Sequence, residues 1–276
     1  MMDLIVCFLL VGIVALAALL LWRRFGGPSR SVPVSVGRGL LCLGLALPLV
    51  GLPSWRLSNA RSLQLLGEIV PRVETGDSLV ALTFDDGPLP DATARVLQLL
   101  AAEEARATFF LIGSSIEQHP EAARAIADAG HEIGNHSYSH RMMLGLSQNR
   151  IRQEIERTDA RIREAGFVGR IHFRSPYGKK FVALPYYLGR TGRKNIFWDV
   201  EPESDPEIAR DSARIVAHVL EKVRPGSIVL MHVMTRHYEP SRAAVPAIVR
   251  GLKARGYRLV TVSELLEQEE RVALSR

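Results

Sequence analysis

From Ser78 onward the chain alternates short apolar runs with amphipathic stretches, and that alternation leaves few folds open. Ser78–Phe84 reads as a buried strand ending in Asp-Asp-Gly-Pro, and Ala107–Ile112 and His131–Asn135 read as two more. Further strands are expected at Ile171–Phe173, Asn195–Trp198, Ser227–Met231 and Tyr257–Val262. Between them, Ala92–Ala102 has helical periodicity, and Gln148–Ala165 carries Ile151, Ile155 and Ile162 on one side. Such alternation builds parallel strands joined by crossover helices. Repeated about seven times in one domain, it predicts an α/β fold in a closed or nearly closed barrel over residues 77–270.

The polar residues that break the pattern fall at the C-terminal ends of the strands: Asp85 and Asp86, His136 and His140, Arg174, Asp199 and His232. In α/β barrels that rim carries the chemistry. Adjacent carboxylates on extended backbone point in different directions, so one can bind a metal while the other faces a substrate water. Taken alone, Asp85-Asp86-Gly87-Pro88 also reads as a turn with helix-capping acids. His136 and His140, four residues apart, are spaced to share one face of a helical turn. Joined to a strand-end carboxylate they make a two-His, one-carboxylate set that leaves positions open for water and substrate. Arg174 is suited to holding a catalytic carboxylate ionised, although a surface ion pair is an equal alternative. His232 closes an apolar strand and, beside a metal, is a candidate general acid. His119, His131, His172, His218 and His237 read as ordinary histidines.

Cysteine usage narrows the metal chemistry. The two cysteines, Cys7 and Cys42, both lie in the apolar N-terminal block, so a metal in the remainder must be held by histidine and carboxylate. The net charge of +6 comes without an Arg/Lys run interleaved with aromatics, which argues against a nucleic-acid partner.

Residues 1–53 read as a membrane anchor of one or two helices, and residues 54–76 as a linker with one short helix. Leu4–Trp22 is long and apolar enough to span a bilayer. Arg23 and Arg24 follow it, the reverse of a signal peptide's order. A shorter apolar stretch, Gly39–Pro53, follows Arg30 and Arg38. The positive-inside rule then puts the arginine-bearing loop in the cytoplasm and the catalytic part outside the cytoplasmic membrane. If the second stretch does not span, the same rule leaves the catalytic part inside.

Four motifs in order, Thr83-Phe-Asp-Asp-Gly-Pro88, His136-Ser-Tyr-Ser-His140, Arg174-Ser-Pro-Tyr177 and Leu230-Met-His232, resemble those of the polysaccharide deacetylases, the NodB-like carbohydrate esterase family four. The resemblance runs from about Leu79 to Leu266. It implies a distorted (β/α)7-type barrel and a divalent metal, usually zinc with cobalt, nickel or manganese as alternatives, held by Asp86, His136 and His140. It further implies Asp85 as general base, Arg174 orienting it, the Tyr177 N–H as oxyanion donor and His232 as general acid. Leu230 would line the pocket for the acyl methyl, with Trp198 and Pro176 as further substrate contacts. The implied reaction is removal of N-acetyl or similar acyl groups from a carbohydrate polymer such as peptidoglycan. A lipid-linked sugar as substrate, or a catalytically silent carbohydrate-binding module, are the alternatives. One element departs from the family pattern: Trp198-Asp-Val-Glu-Pro-Glu-Ser-Asp205 has no Asp-Trp, which leaves Asp199, Glu201, Glu203 and Asp205 all open as the partner of His232.

Overall fold

The computed structural model describes residues 52 and 54–274. The expected anchor at 1–53 therefore lies outside the described residues, apart from Leu52. Among the described residues no helix is long and apolar enough to cross a membrane.

Seven strands are described: β1 (Ile69–Val70), β2 (Leu79–Asp85), β3 (Thr108–Leu111), β4 (Glu132–Asn135), β5 (Asn195–Ile196), β6 (Ile228–His232) and β7 (Arg258–Val260). Nine labelled helices run alongside: α1 (Pro90–Ala102), α2 (Gly113–Gln118), α3 (Pro120–Asp128), α4 (Gln148–Glu164), α5 (Ala183–Arg190), α6 (Pro206–Ala209), α7 (Ser212–Lys222), α8 (Glu239–Ala254) and α9 (Val262–Leu274). β2 is buried at every position, as a strand covered on both faces must be. It pairs in parallel with β3, β6 and β7, and β3 pairs with β4. β1 and β5 form a separate parallel pair. Single bridges tie the two sheets together, from Phe173 to Asn135 and Asn195, and from Val200 to Val229. The fold is thus the parallel α/β arrangement the alternation implied, with a strand circuit closed by bridges where regular strands were expected.

Two of the expected strands shrink. Ile171–Phe173 is reduced to the Phe173 bridges, and Asn195–Trp198 keeps only two paired residues. Arg174 explains the second loss, because its side chain takes the carbonyls of Ile196 and Phe197 as hydrogen-bond acceptors.

Alternation along each strand sorts side chains between two cores. Leu79 and Ala81 join Phe110, Ile228, Leu230 and Trp198 inside the circuit. Val80, Leu82 and Phe84 join Phe109, Val229 and Met231 against the helices, where Val96, Ile215 and Ile248 meet them. Gly134 faces Phe110 so closely that a Cβ would stand 2.5 Å from its ring. The glycine is what lets Phe110 fill the interior. Opposite the rim, Val262 N–H at the start of α9 donates to Thr108 Oγ1 at 2.9 Å. Thr108 donates in turn to Glu132 at 2.7 Å, and Ser263 N–H donates to the same carboxylate at 3.1 Å. A carboxylate at a helix N-terminus is favourably placed against the peptide dipoles.

The stretch 54–76, expected as a linker with one short helix, carries that helix and packs onto the barrel. Residues 54–59 are helical, β1 pairs with β5, and Val73 is fully buried. Lys180 N–H donates to Ser58 O at 3.2 Å, and the Lys180 ammonium bonds Ala60 O. Backbone pairing ties this segment to the barrel, and a hydrophobicity reading does not register backbone pairing.

Gly113 opens α2 against the loop that follows β4. A Cβ there would stand 2.5 Å from Thr158 Oγ1 and 2.8 Å from Tyr138 Cδ2. Gly113→Ala is expected to lower stability by about 1–3 kcal/mol through overpacking, read as a shift of the urea midpoint. An unchanged midpoint would mean that the contact between α2 and α4 relaxes freely.

Candidate active site

Parallel register brings the site together. Asp85, the last residue of β2, is the Cα partner of both His232 on β6 and Phe110 on β3. His136 follows directly on β4, and Arg174 follows the Phe173 bridge. All four therefore stand at one level of the rim.

Arg174 is fully buried, so every charge and donor it carries has to be answered. Nη1 donates to Asp85 Oδ1 at 2.6 Å and to Thr83 Oγ1 at 2.9 Å. Nε donates to Ile196 O at 3.0 Å and Nη2 to Phe197 O at 3.1 Å. The guanidinium lies 4.0 Å from the centre of the Phe110 ring. Burial alone would raise the Asp85 carboxyl pKa, but Arg174, His136 and His232 outweigh it and hold it below the ordinary carboxylate value. Asp85 is thus an ionised base over the whole neutral range.

Asp86, His136 and His140 bring one ligand atom each to within 4.8 Å of one another. His140 Nε2 is 3.3 Å and His136 Nε2 3.9 Å from Asp86 Oδ1. That oxygen is buried and has no hydrogen-bond partner among the described residues. Its neighbours are imidazole nitrogens, so an unsatisfied acceptor here fits a shared cation. His136 Nδ1 lies 2.9 Å from Arg174 O, which makes Nδ1 the donor and turns the Nε2 lone pair toward the cluster. Burial and the neighbouring His136 lower the His140 pKa against the pull of Asp86, which favours the neutral, ligating form.

The segment 136–140 is a loop and not the helical turn the spacing suggested. Its N–H groups are taken by side chains: Asn135 Oδ1 accepts from Ser137 N at 2.9 Å, and Glu154 on α4 accepts from Tyr138 N and Ser139 N at 3.1 and 2.8 Å. Four residues here have left-handed backbone: Asp86, Ser137, His140 and Tyr177, with φ of 74°, 63°, 50° and 59°. Glu104 is the one other non-glycine described residue with such a φ. Strain of this kind, about 1–3 kcal/mol per residue, persists where surrounding bonds over-determine it.

Glu203 is the partner of His232. His232 Nδ1 donates to Glu203 Oε2 at 2.6 Å, His232 N–H bonds the same carboxylate at 2.9 Å, and Ser241 Oγ donates to Oε1 at 2.5 Å. Burial disfavours charge on His232, but the Glu203 hydrogen bond and the charges of Asp85, Glu203 and Asp86 prevail and push its pKa up to about 9. The other acids of that loop have separate work. Asp199, expected at the rim, accepts from Ser227 Oγ and Ile228 N at the far end of β6. Glu201 accepts from the Trp198 indole, and Asp205 caps α6.

These groups open into one cavity of about 360 Å³. Asp85, Asp86, His136, His140, Tyr177, Trp198, Leu230 and His232 all line it. Arg174 stands behind Asp85, and Pro176 is not among the lining residues; it is buried at the start of the turn that exposes Tyr177. The hydrogen bonds of that turn use the N–H groups of Gly178 and Lys179. Asn59, Arg61 and Tyr238 also line the cavity and were not singled out in the sequence. Tyr238 stacks on His232 at 5.0 Å, and nothing in its spacing signals that. A larger hollow of about 740 Å³ between Arg95 and Glu239 contains none of the metal-ligating or acid–base residues.

Arg174→Met leaves Asp85 buried without its counter-ion. It is expected to lower stability by about 3–5 kcal/mol, and pairing it with Asp85→Asn is expected to return part of that loss. Urea unfolding of the two variants checks both, and a single variant as stable as wild type contradicts the account.

Residues 72–196 match the family model for polysaccharide deacetylase. A peptidoglycan-N-acetylglucosamine deacetylase of Bacillus cereus is 32% identical over 206 residues, spanning 75% of this chain and 96% of that one. A chitooligosaccharide deacetylase of Sinorhizobium fredii is 35% identical over 164 residues, spanning 59% and 75%. A crystal structure of a peptidoglycan N-acetylglucosamine deacetylase superposes with a TM-score of 0.66 at 31% identity, covering 71% of this chain and 91% of that one. With the strand-end residues arranged as described, the chain belongs to the polysaccharide deacetylase family, hydrolases that act on carbon–nitrogen bonds other than peptide bonds.

Proposed function

We propose that this chain is a metal-dependent deacetylase that hydrolyses N-acetyl groups on an N-acetylglucosamine-containing glycan, with peptidoglycan as the leading substrate. The observation that carries the reading is the shared cavity: an ionised Asp85 and a protonated His232, adjacent in register, open beside the Asp86–His136–His140 cluster. Relatives named for peptidoglycan and chitooligosaccharides support the substrate class.

A divalent cation held by Asp86, His136 and His140 supplies Lewis-acid polarisation of the acyl carbonyl and lowers the pKa of water, with zinc the first choice for such a donor set. Asp85 takes the proton from the attacking water, and Arg174 keeps that carboxylate ionised and aimed. The Tyr177 N–H donates to the oxygen as negative charge develops on it. His232 delivers a proton through Nε2 to the leaving sugar nitrogen, since Nδ1 is committed to Glu203. Leu230 gives the acyl methyl an apolar wall. A silent binding module has no need of both proton-transfer groups.

The test is acetate release from N-acetylglucosamine oligomers and from peptidoglycan. Activity is expected to vanish with chelator, return with zinc, and fall by about 10²–10⁴-fold in Asp85→Asn, the usual range for a general base. Acetate release that is indifferent to chelator contradicts the metal role. Activity confined to a lipid-linked sugar moves the substrate, not the chemistry.

His232 must be protonated to act, and its raised pKa of about 9 extends the active range upward. Glu203→Gln removes one of the three carboxylates that raise it and leaves Asp85 and Asp86, so the alkaline limb of the kcat/KM profile is expected to move down from about 9 in the direction of the ordinary histidine value of about 6.5. An unmoved limb counts against His232 as the acid. We further propose that the domain is anchored in the cytoplasmic membrane by two spans, Leu4–Trp22 and Gly39–Pro53, and faces outward, because the arginines between them hold that loop in the cytoplasm. External protease should then cut the domain in intact spheroplasts; protection would put it inside.

A further inference from the structure

One wall of the catalytic cavity comes from residues that precede the region the family model covers. Asn59 and Arg61 line it, eleven or more residues before the match begins at residue 72. Their placement is built. Lys179 bonds Asn59 Oδ1, Lys180 is nearly fully buried and bonds Ala60 O, and Asn59 Nδ2 donates to Trp55 O at 2.6 Å. Arg61 extends from this anchored stretch over the Trp198 ring, 5.3 Å from its centre, and Nη2 donates to Glu201 Oε2 at 2.5 Å. The same Glu201 oxygen accepts from the Trp198 indole at 3.0 Å, which fixes it from below.

Arg61 remains 47% exposed and Glu201 15%, so the pair faces solvent at the cavity edge while being held in position. It presents guanidinium donors beside a carboxylate acceptor, with opposite charges that cancel. Such a pair suits the adjacent hydroxyls of a neutral sugar, each of which both donates and accepts, better than it suits an anionic group. Asn59 has its amide committed to Trp55 and Lys179, so its part is to hold Arg61 in place.

We propose that Arg61 is a specificity-determining residue: with Glu201 it binds hydroxyls of a neutral sugar linked to the one being deacylated, so that the chain selects an oligomer over a short substrate. This rests on the deacetylase reading above. Nothing in the proposed chemistry requires Arg61, and the proton-transfer groups lie elsewhere in the cavity.

The test uses the full chain with Arg61→Ala, Arg61→Lys and Glu201→Gln, and compares acetate release from the N-acetylglucosamine dimer and tetramer. In Arg61→Ala the tetramer-to-dimer ratio of kcat/KM is expected to fall about tenfold, the scale of one charge-assisted hydrogen bond lost. Arg61→Lys keeps the ion pair and should recover part of the ratio. Glu201→Gln should lower the ratio too. An equal loss on both substrates means that Arg61 only supports the loop carrying Glu203, and it overturns the proposal, as does an unchanged ratio. Wild-type protein inactive on every oligomer brings down the deacetylase reading itself, an outcome distinct from activity with an unchanged ratio.

Discussion

A guanidinium with no access to water organises this molecule. Arg174 at the heart of the barrel is tolerable only because Asp85, Thr83 and two carbonyls receive it and the Phe110 ring lies against it. Each partner is a constraint on a different part of the chain. Thr83 is fixed in turn by Val229 O on β6 at 2.7 Å, the carbonyls belong to the segment after β5, and Phe110 needs Gly134 opposite it. A buried pair of this kind adds little net stability but is costly to break from one side. It therefore fixes geometry more than it contributes free energy, and the geometry it fixes is the direction of the Asp85 carboxylate.

Around that centre the chain holds unfavourable backbone in place. Asp86, His140 and Tyr177 adopt left-handed φ values, and all three line the cavity. Ahead of His140 the supporting bonds come from groups with no role in the chemistry, the Asn135 side chain and Glu154 on α4, which take the N–H groups of Ser137, Tyr138 and Ser139. Asn135 also donates to Ile155 O at 2.8 Å, so the 136–140 loop and α4 form one hydrogen-bonded unit. A site assembled in this way is rigid before substrate arrives, which is what electrostatic catalysis requires.

Much of this was legible in the sequence because strand-end chemistry leaves a local mark. Asp85, Asp86, His136, His140, Arg174 and His232 interrupt apolar runs at places where a core has no use for charge. The parallel fold was legible from the same runs. What stayed hidden depends on reach and not on pattern. Four acids between Asp199 and Asp205 looked equivalent, and only the turn at Pro202–Ser204 brings Glu203 to His232 while directing Asp199 to Ser227. The strand at Asn195–Trp198 looked ordinary, but Arg174 competes for its carbonyls. Residues 54–76 looked like a linker because, apart from Val70 and Val73, their attachment is through backbone pairing and two lysines, which hydrophobicity does not register. The His136–His140 spacing brought the two rings together in the reading for a geometric reason that does not apply, since they meet across a loop and not on a helical turn.

The closure opposite the rim bears on how the protein is made. Val262 and Ser263 reach back to Thr108 and Glu132 across 154 and 131 residues of chain. β7 and α9, which leave a ribosome after the other strands of the barrel, are thus the elements that plug it, and Glu132 has no helix N-terminus to face until they arrive. Long-range closure of this kind slows folding and prolongs the exposure of apolar surface. Synthesis can complete the rim residues early, but their barrel is sealed last.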